Sequence, residues 1–457
     1  MENVKELEVF RSVPVPEAVL KNTVPAMIAM LMALIYNLAD TFFIGMTHDA
    51  YQIAAVSMST PVVLLFMSVG AIFGIGGTSV ISRALGEGRV DYARKVCSFC
   101  MWTSTAVGLV MSVLFLIFME KILTIMGTSP DTHDFAKSYL TIVTCCGPFS
   151  VVGTCFSNII RAEGQAKKAM MGQLVGNLLN IIFDPIMILG FGWGITGAAV
   201  ATILGNVFAA CYYLSFYLRK KSILSIHPRD FTVHDNVCSG VLAIGVPASL
   251  GSLLMSVSQI TLNSQMSSFG DMAVAGIGIA CKVTMITGML FIGFGQGIQP
   301  ILGFCAGAGL WDRFKKIMRF STAFSFGLSV ILTLLCYLFT DQIVSVFLTE
   351  PDAFDYAVHF AHILLTTSVL FGVFFVLANS LQSVGAATEA LIINLSRQGL
   401  IFIPALFILK AAFGADGLAW AQPVADVLSM ILVAILYFRT VKRMETCKRQ
   451  EGGNDRL

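Results

Sequence analysis

Residues Gln173 to Leu189 read QLVGNLLNIIFDPIMIL, a run apolar enough to cross a bilayer that carries a carboxylate near its middle. Wound as an α-helix, it sets Gln173, Asn177, Asn180 and Asp184 at spacings of three and four, so the four share one face. An ionised Asp at membrane depth costs at least about 2.5 to 3.5 kcal/mol, and it therefore turns toward protein or a water-filled cavity. Pro185 follows at once and has no N–H, which leaves the carbonyl of Ile181 without its helical partner beside the stripe. A polar contact that merely glued helices together would use Asn and Gln, but seldom Asp. The stripe marks a functional site at membrane depth.

The rest of the chain agrees with that setting. Of 457 residues, 56% are hydrophobic and 12% charged, with a mean hydropathy of +0.81, where a soluble domain carries about a quarter charged residues. Twelve apolar runs, each long enough to span a bilayer about 30 Å thick, fall at 17–46, 52–82, 93–118, 134–161, 167–190, 194–219, 237–266, 272–303, 316–340, 354–382, 388–411 and 416–441. The fold class is thus all-α integral membrane. The opening residues lack the short apolar core of a cleaved signal, so the first span is expected to serve as the targeting signal. Eleven cysteines lie mostly in apolar runs and read as small helix residues, not as a disulfide framework.

Basic residues mark alternate connections: Arg83, Arg89, Arg94 and Lys95 after span two, and Arg161, Lys167 and Lys168 after span four. Arg219, Lys220, Lys221 and Arg229 follow span six, Arg313, Lys315, Lys316 and Arg319 follow span eight, and Arg439, Lys442, Arg443, Lys448 and Arg449 close the chain. By the positive-inside rule both termini are expected in the cytoplasm. The second half also repeats the first. Val24 to Ala26 returns as Val246 to Ala248, Gly74, Gly76, Gly86 and Gly88 return as Gly295, Gly297, Gly307 and Gly309, and Pro185 returns as Pro404. So constant an offset implies a duplicated six-helix unit, and six being even, the repeats are parallel, with a cavity expected between them. The division expected is an N-terminal lobe at 1–219, a cytoplasmic linker lying on the surface at 220–236, a C-terminal lobe at 237–441 and a cytoplasmic tail at 442–457.

Span one ends LIYNLADTFFIG, with Tyr36 and Asp40 four apart, and span six carries Thr202 and Asn206 at the same spacing. With Asn180 and Asp184 they form an oxygen-rich set able to hold a proton or a hard monovalent cation. Two carboxylates sharing a low-dielectric site would titrate as a unit. Whether Asp40 and Asp184 meet depends on how their helices face, which spacing does not reveal. The second half has Leu262 and Ile403 at the corresponding places, and offers Gln259, Asn263, Lys282, Gln299, Arg397 and Asp426 instead. Arg397 and Asp426 could line a substrate cavity or neutralise each other. No GxxxxGK[ST] occurs, so nothing points to ATP, and no second pair completes a zinc set around His359 and His362, Cys97 and Cys100, or Cys145 and Cys146. No nucleophile with a base, and no metal set, supports a membrane enzyme. The basic clusters are topology signals, and no nucleic acid partner is expected.

NLADTFFIG on the first helix, GTSVISRALGEG closing the second, RAEGQAKKAM before the fifth, NLLNIIFDPIMI within it and GITGAAVATIL entering the sixth together resemble the multidrug and toxin extrusion (MATE) family. GFGQGIQPILGF and NLSRQGLIFIP in the second half resemble its bacterial branch. The resemblance implies twelve helices in two pseudo-symmetric bundles, in a bacterial plasma membrane. It implies an antiporter that exports organic, often cationic and amphipathic drugs in exchange for sodium ions or protons, with no cofactor besides the ion. It places the coupling site on Asp40, Asn180, Asp184 and Thr202, which would also be the only place for a metal ion, as Na⁺. Tyr139 and Asn158 would neighbour it, and Tyr36, Asn177, Gln259, Asn263, Gln299, Arg397 and Asp426 complete the expected substrate cavity. Acidic residues that some relatives use in the seventh and tenth helices are replaced here by Gln259 and Arg397, so coupling is expected in the first half. A monomer is expected. The alternative is a flippase for a lipid-linked saccharide, which would need a strongly cationic cavity.

Overall fold

The computed structural model describes residues 8–47, 49–126, 128–219, 222–348 and 350–454. Lys220 and Lys221 of the basic set and the last three residues of the tail lie outside them, as does the start of the chain. The described residues are almost all helical. In order, α1 is Val15–Gly45, α2 Ala50–Gly86, α3 Val90–Ile117, α4 Met119–Ile125, α5 Pro130–Cys145, α6 Gly147–Ala162, α7 Ala166–Pro185 and α8 Gly194–Leu218. The second half has α9 Val237–Met266, α10 Asp271–Gly307, α11 Trp311–Leu338, α12 Thr340–Ser345, α13 Pro351–Ser368, α14 Phe371–Ser383, α15 Ala387–Leu395 and α16 Phe402–Asn454.

Twelve spans emerge once the breaks are counted. Span four is the pair α5 and α6, bent by 52°, and span ten is the pair α13 and α14, bent by 49°. The first bend falls where Gly147 and Pro148 open α6, since Pro148 has no N–H to continue the ladder. Spans eleven and twelve merge in α16 except at Gly414, whose φ of 63° breaks the helix in a conformation glycine tolerates. The helix then runs on to Asn454, through most of the stretch expected as the tail.

Faces are sorted as a bilayer requires. On α3, Ser104, Gly108 and Ser112 are buried one turn apart, and on α11 Ser321, Ser325, Ser329 and Thr333 do the same. Small residues at this spacing let helices approach closely and keep hydroxyls off lipid. Val110, Val113 and Ile117 of α3, and Ile331, Leu334 and Leu338 of α11, point outward.

The chain packs as two units. One holds residues 28–249 with the first twelve, and the other holds 13–27 with 250–457. The packing boundaries therefore lie inside α1 and α9, not at the linker where the repeat divides. Close backbone approach explains both exchanges. In the first unit, Gly245 of α9 rests on the carbonyl of Ile72 in α2, and Ser249 donates to the carbonyl of Ser68 at 2.6 Å. In the second, Gly297 of α10 lies against Asn22 and Thr23 of α1 so tightly that a Cβ would sit 2.8 Å from the Asn22 carbonyl oxygen.

The linker lies on the surface of the first unit as a strap pinned to it by side-chain hydrogen bonds. Arg94 Nε donates to the carbonyl of Ile223 at 3.0 Å, Ser98 to that of His227 at 2.9 Å and Trp102 Nε1 to that of Ile226 at 3.2 Å. Phe231 stacks on Phe99, and Leu224 is buried.

Candidate cation site

The stripe read from Gln173 to Asp184 lies on α7, and its lower half turns toward α8. That orientation follows from two glycines. Gly176 of α7 and Gly205 of α8 touch so closely that a Cβ on Gly205 would stand 2.6 Å from the Gly176 carbonyl oxygen, and one on Gly176 would stand 2.9 Å from that of Gly205. Gly205→Ala is accordingly expected to push the helices apart and to cost about 1 to 3 kcal/mol, seen as a lower unfolding temperature. Gly153→Ala, where a Cβ meets nothing within 4 Å, is the neutral control.

With the helices so close, Asn180 reaches Thr202. Its amide, oriented so that nitrogen faces the carboxylate, donates to Asp184 Oδ2 at 2.9 Å. Its oxygen accepts from the Thr202 hydroxyl at 3.2 Å and from the Thr202 N–H at 3.0 Å. Asp184 is fully buried and Asn180 is 2% exposed. From α1, the Tyr36 hydroxyl hydrogen-bonds to Thr202 and lies within electrostatic reach of Asp40 and Asp184. Tyr139 of α5, 6% exposed, feels both carboxylates as well. The two carboxylates also interact with each other. Asp40 and Asp184 therefore lie within electrostatic reach of each other.

The site is incomplete as protein alone. Asp40 Oδ1 and Asp184 Oδ1 are both buried and have no hydrogen-bond partner in the protein. Two orphaned carboxylate oxygens beside hydroxyls and an amide form an acceptor-rich pocket with nothing basic in it, which suits a proton or a hard monovalent cation.

Other residues singled out from sequence go elsewhere. Asn206 turns away from Thr202 and donates to Ser150 Oγ at 2.9 Å. Asn158 is buried, accepts from Arg161 Nη1 at 3.2 Å and donates to the carbonyl of Thr154 at 2.9 Å. Asn177 keeps a buried amide nitrogen with no protein partner. In the second unit, Gln259 is exposed and donates to Asn263 at 3.3 Å, Gln299 is 2% exposed, and Lys282 sits over the Phe347 ring. Arg397 donates to Asp426 Oδ1 at 3.0 Å, and Asp426, 4% exposed, also accepts from Gln422 at 2.9 Å and Thr367 at 3.3 Å. Phe371, Phe374 and Phe375 surround the guanidinium at 5.1, 4.7 and 5.5 Å. The two charges neutralise each other.

One residue went unnoticed in the sequence. Glu163, one position beyond α6, is 2% exposed and accepts from Ser222 Oγ at 2.7 Å and from the Ile223 N–H at 3.0 Å, so it clasps the linker. Its only signal was acidity within the basic run Arg161 to Lys168. Burial raises its carboxyl from the ordinary glutamate range to about 7, against the hydrogen bonds from Ser222 and Ile223, which lower it. A carboxyl raised on folding stabilises fully below its unfolded pKa, and the benefit fades as pH rises from about 4.5 through about 7. Thermal unfolding of the parent is expected to lose ground to Glu163→Gln between pH 5 and pH 8, by a few degrees. Parallel pH profiles would refute the clasp's titration.

The chain is thus a duplicated bundle of membrane helices that buries carboxylate oxygens on its first and fifth spans. The MatE family model matches residues 25–186 and 247–408, one copy in each half. The chain belongs to the MatE family, and is a multi-pass transporter and not an enzyme. It is 29% identical over 453 residues to the multidrug export protein MepA of Staphylococcus aureus, covering 98% of this chain and 99% of that one. To MepA of Staphylococcus haemolyticus it is 27% identical over 446 residues, covering 97% and 98%. Among solved structures, an outward-facing multidrug resistance MATE family transporter of the MOP superfamily matches with a TM-score of 0.92 at 22% identity, covering 97% of this chain and 99% of that one. A MOP superfamily transporter from Pyrococcus furiosus matches at 0.91 and 22%, covering 96% and 99%.

Proposed function

We propose that the protein exports organic, often cationic and amphipathic compounds by alternating access, in exchange for a proton or a sodium ion held at Asp40, Asn180, Asp184 and Thr202. The single observation that carries this is the pair of buried, unpartnered carboxylate oxygens, Asp40 Oδ1 and Asp184 Oδ1, on two helices and within electrostatic reach of each other. The export of drugs named for the staphylococcal relatives supports the cargo. Both termini then lie in the cytoplasm of a bacterial cell, and a single chain suffices. An ion moving down 100 mV contributes about 2.3 kcal/mol, enough for roughly a fifty-fold gradient of a neutral substrate. The lipid-linked saccharide reading is disfavoured, because Arg397, the cation that could take a phosphate, is already neutralised by Asp426. The test is ethidium efflux from cells lacking their own pumps, under a sodium gradient or a proton gradient alone. Export driven by one of them supports the reading, and no dye movement with either overturns it.

A further inference from the structure

The polar stripe of α7 is only half used by the ion site. Asn180 bonds to both Asp184 and Thr202, but Asn177 Nδ2 and Gln173 Oε1, nearer the start of the helix, are buried atoms with no protein partner. They are an amide donor and an amide acceptor four residues apart, a spacing at which such side chains can bond one another. Each leaves the other unbonded. Other buried side-chain atoms of the described residues also lack a partner, Gln299 Nε2 and Asn394 Nδ2 among them, but Gln173 Oε1 and Asn177 Nδ2 lie on the face that leads to Asp184, where water or a passing ion between them would satisfy both.

Geometry gives the stripe a direction. Helical rise spaces Gln173 about 6 Å from Asn177, and Asn177 about 10 Å from Asp184, while Gln173 lies about 10 Å from the helix start at Ala166. That start carries Lys167 and Lys168, on the side read above as cytoplasmic. Gly172 rests against the ring of Tyr213, whose hydroxyl donates to the carbonyl of Ala169 at 2.8 Å, so α7 is held in this rotation by α8 at both ends of the stripe. The second half has no counterpart. Aligned through Pro185 and Pro404, its positions are Ile392, Ser396, Gly399 and Ile403.

We infer that Gln173 and Asn177 form the exit by which the coupling cation leaves Asp40 and Asp184 for the cytoplasm, shut in this conformation and hydrated when the cytoplasmic side opens. The inference rests on the antiport reading. Leaving two amide atoms unsatisfied is costly while the route is closed, and water entering along this face relieves the cost. The pair acts on passage, not on binding.

Purified protein in vesicles of phosphatidylethanolamine and phosphatidylglycerol separates the two. For Gln173→Leu, ethidium affinity and its displacement by the coupling ion at equilibrium are expected within about twofold of the parent, while ion-driven ethidium transport slows at least about tenfold. Gln173→Ser, which keeps a hydroxyl to hold water, is expected to recover at least half of the rate. Transport by the leucine variant within about twofold of the parent overturns the route. Loss of the ion's equilibrium effect in that variant overturns it too, by placing Gln173 inside the binding site, as does a serine variant as slow as the leucine one. Failure of the antiport reading shows separately, as Asp40→Asn and Asp184→Asn transporting like the parent.

Discussion

Asp184→Asn is expected to collapse the ion-driven ethidium gradient to roughly one, and Asp40→Asn to do the same. Asparagine keeps the volume and a hydrogen-bonding oxygen, so the packing of Gly176 on Gly205 and the reach of Asn180 to Thr202 are preserved. What is lost is the charge that a proton or sodium ion must neutralise. On the antiport proposal the two carboxylates hold the ion jointly, so removing either suffices. The double variant should therefore be no worse than either single one. The measurement is dye accumulation in everted vesicles, with the amount of protein in the membrane checked alongside. A variant present at parental level that still builds the full gradient would place coupling outside this pocket.

Arg397→Ala is expected to lower stability by about 3 to 5 kcal/mol, because it strands a buried carboxylate. Asp426 is 4% exposed, and Arg397 Nε at 3.0 Å is its only cationic partner among the described contacts. Gln422 and Thr367 would still donate to it, but neither carries charge. The aromatic ring set around the guanidinium would also lose its occupant. For a unit of this size the loss corresponds to an apparent unfolding temperature roughly 10 °C lower at a fixed scan rate. Replacing both charges together, as Arg397→Met with Asp426→Leu, is expected to recover most of it, since an apolar pair leaves nothing uncompensated. A single variant melting with the parent would mean that the pair is solvated in the membrane-embedded protein. The full effect combined with unchanged export in the double variant would make the pair structural.

Reading along one helix served well, and reading between helices did not. The stripe on α7 was legible, because helical periodicity is local and the residues that share a face are set by spacing alone. The bends in spans four and ten, and the continuation of α16 past residue 442, were not. They depend on whether a terminal turn finds partners for its backbone groups. Glu163 escaped notice for a related reason. Its partners Ser222 and Ile223 lie on the linker, about sixty residues on.

By itself the sequence determined that the chain is a duplicated set of twelve membrane helices and that a carboxylate stripe runs on the fifth span. Hydropathy, proline and glycine positions, and a constant repeat offset each follow from chemistry within a few turns. Only the tertiary structure decided that Asp40 lies within electrostatic reach of Asp184, that Asn206 turns to Ser150, that Arg397 and Asp426 cancel, and that the packing units divide inside α1 and α9. Each of these depends on the rotation of one helix about its axis relative to another. That rotation is set by where glycines such as Gly176, Gly205, Gly245 and Gly297 let backbones touch, which no single-helix pattern encodes.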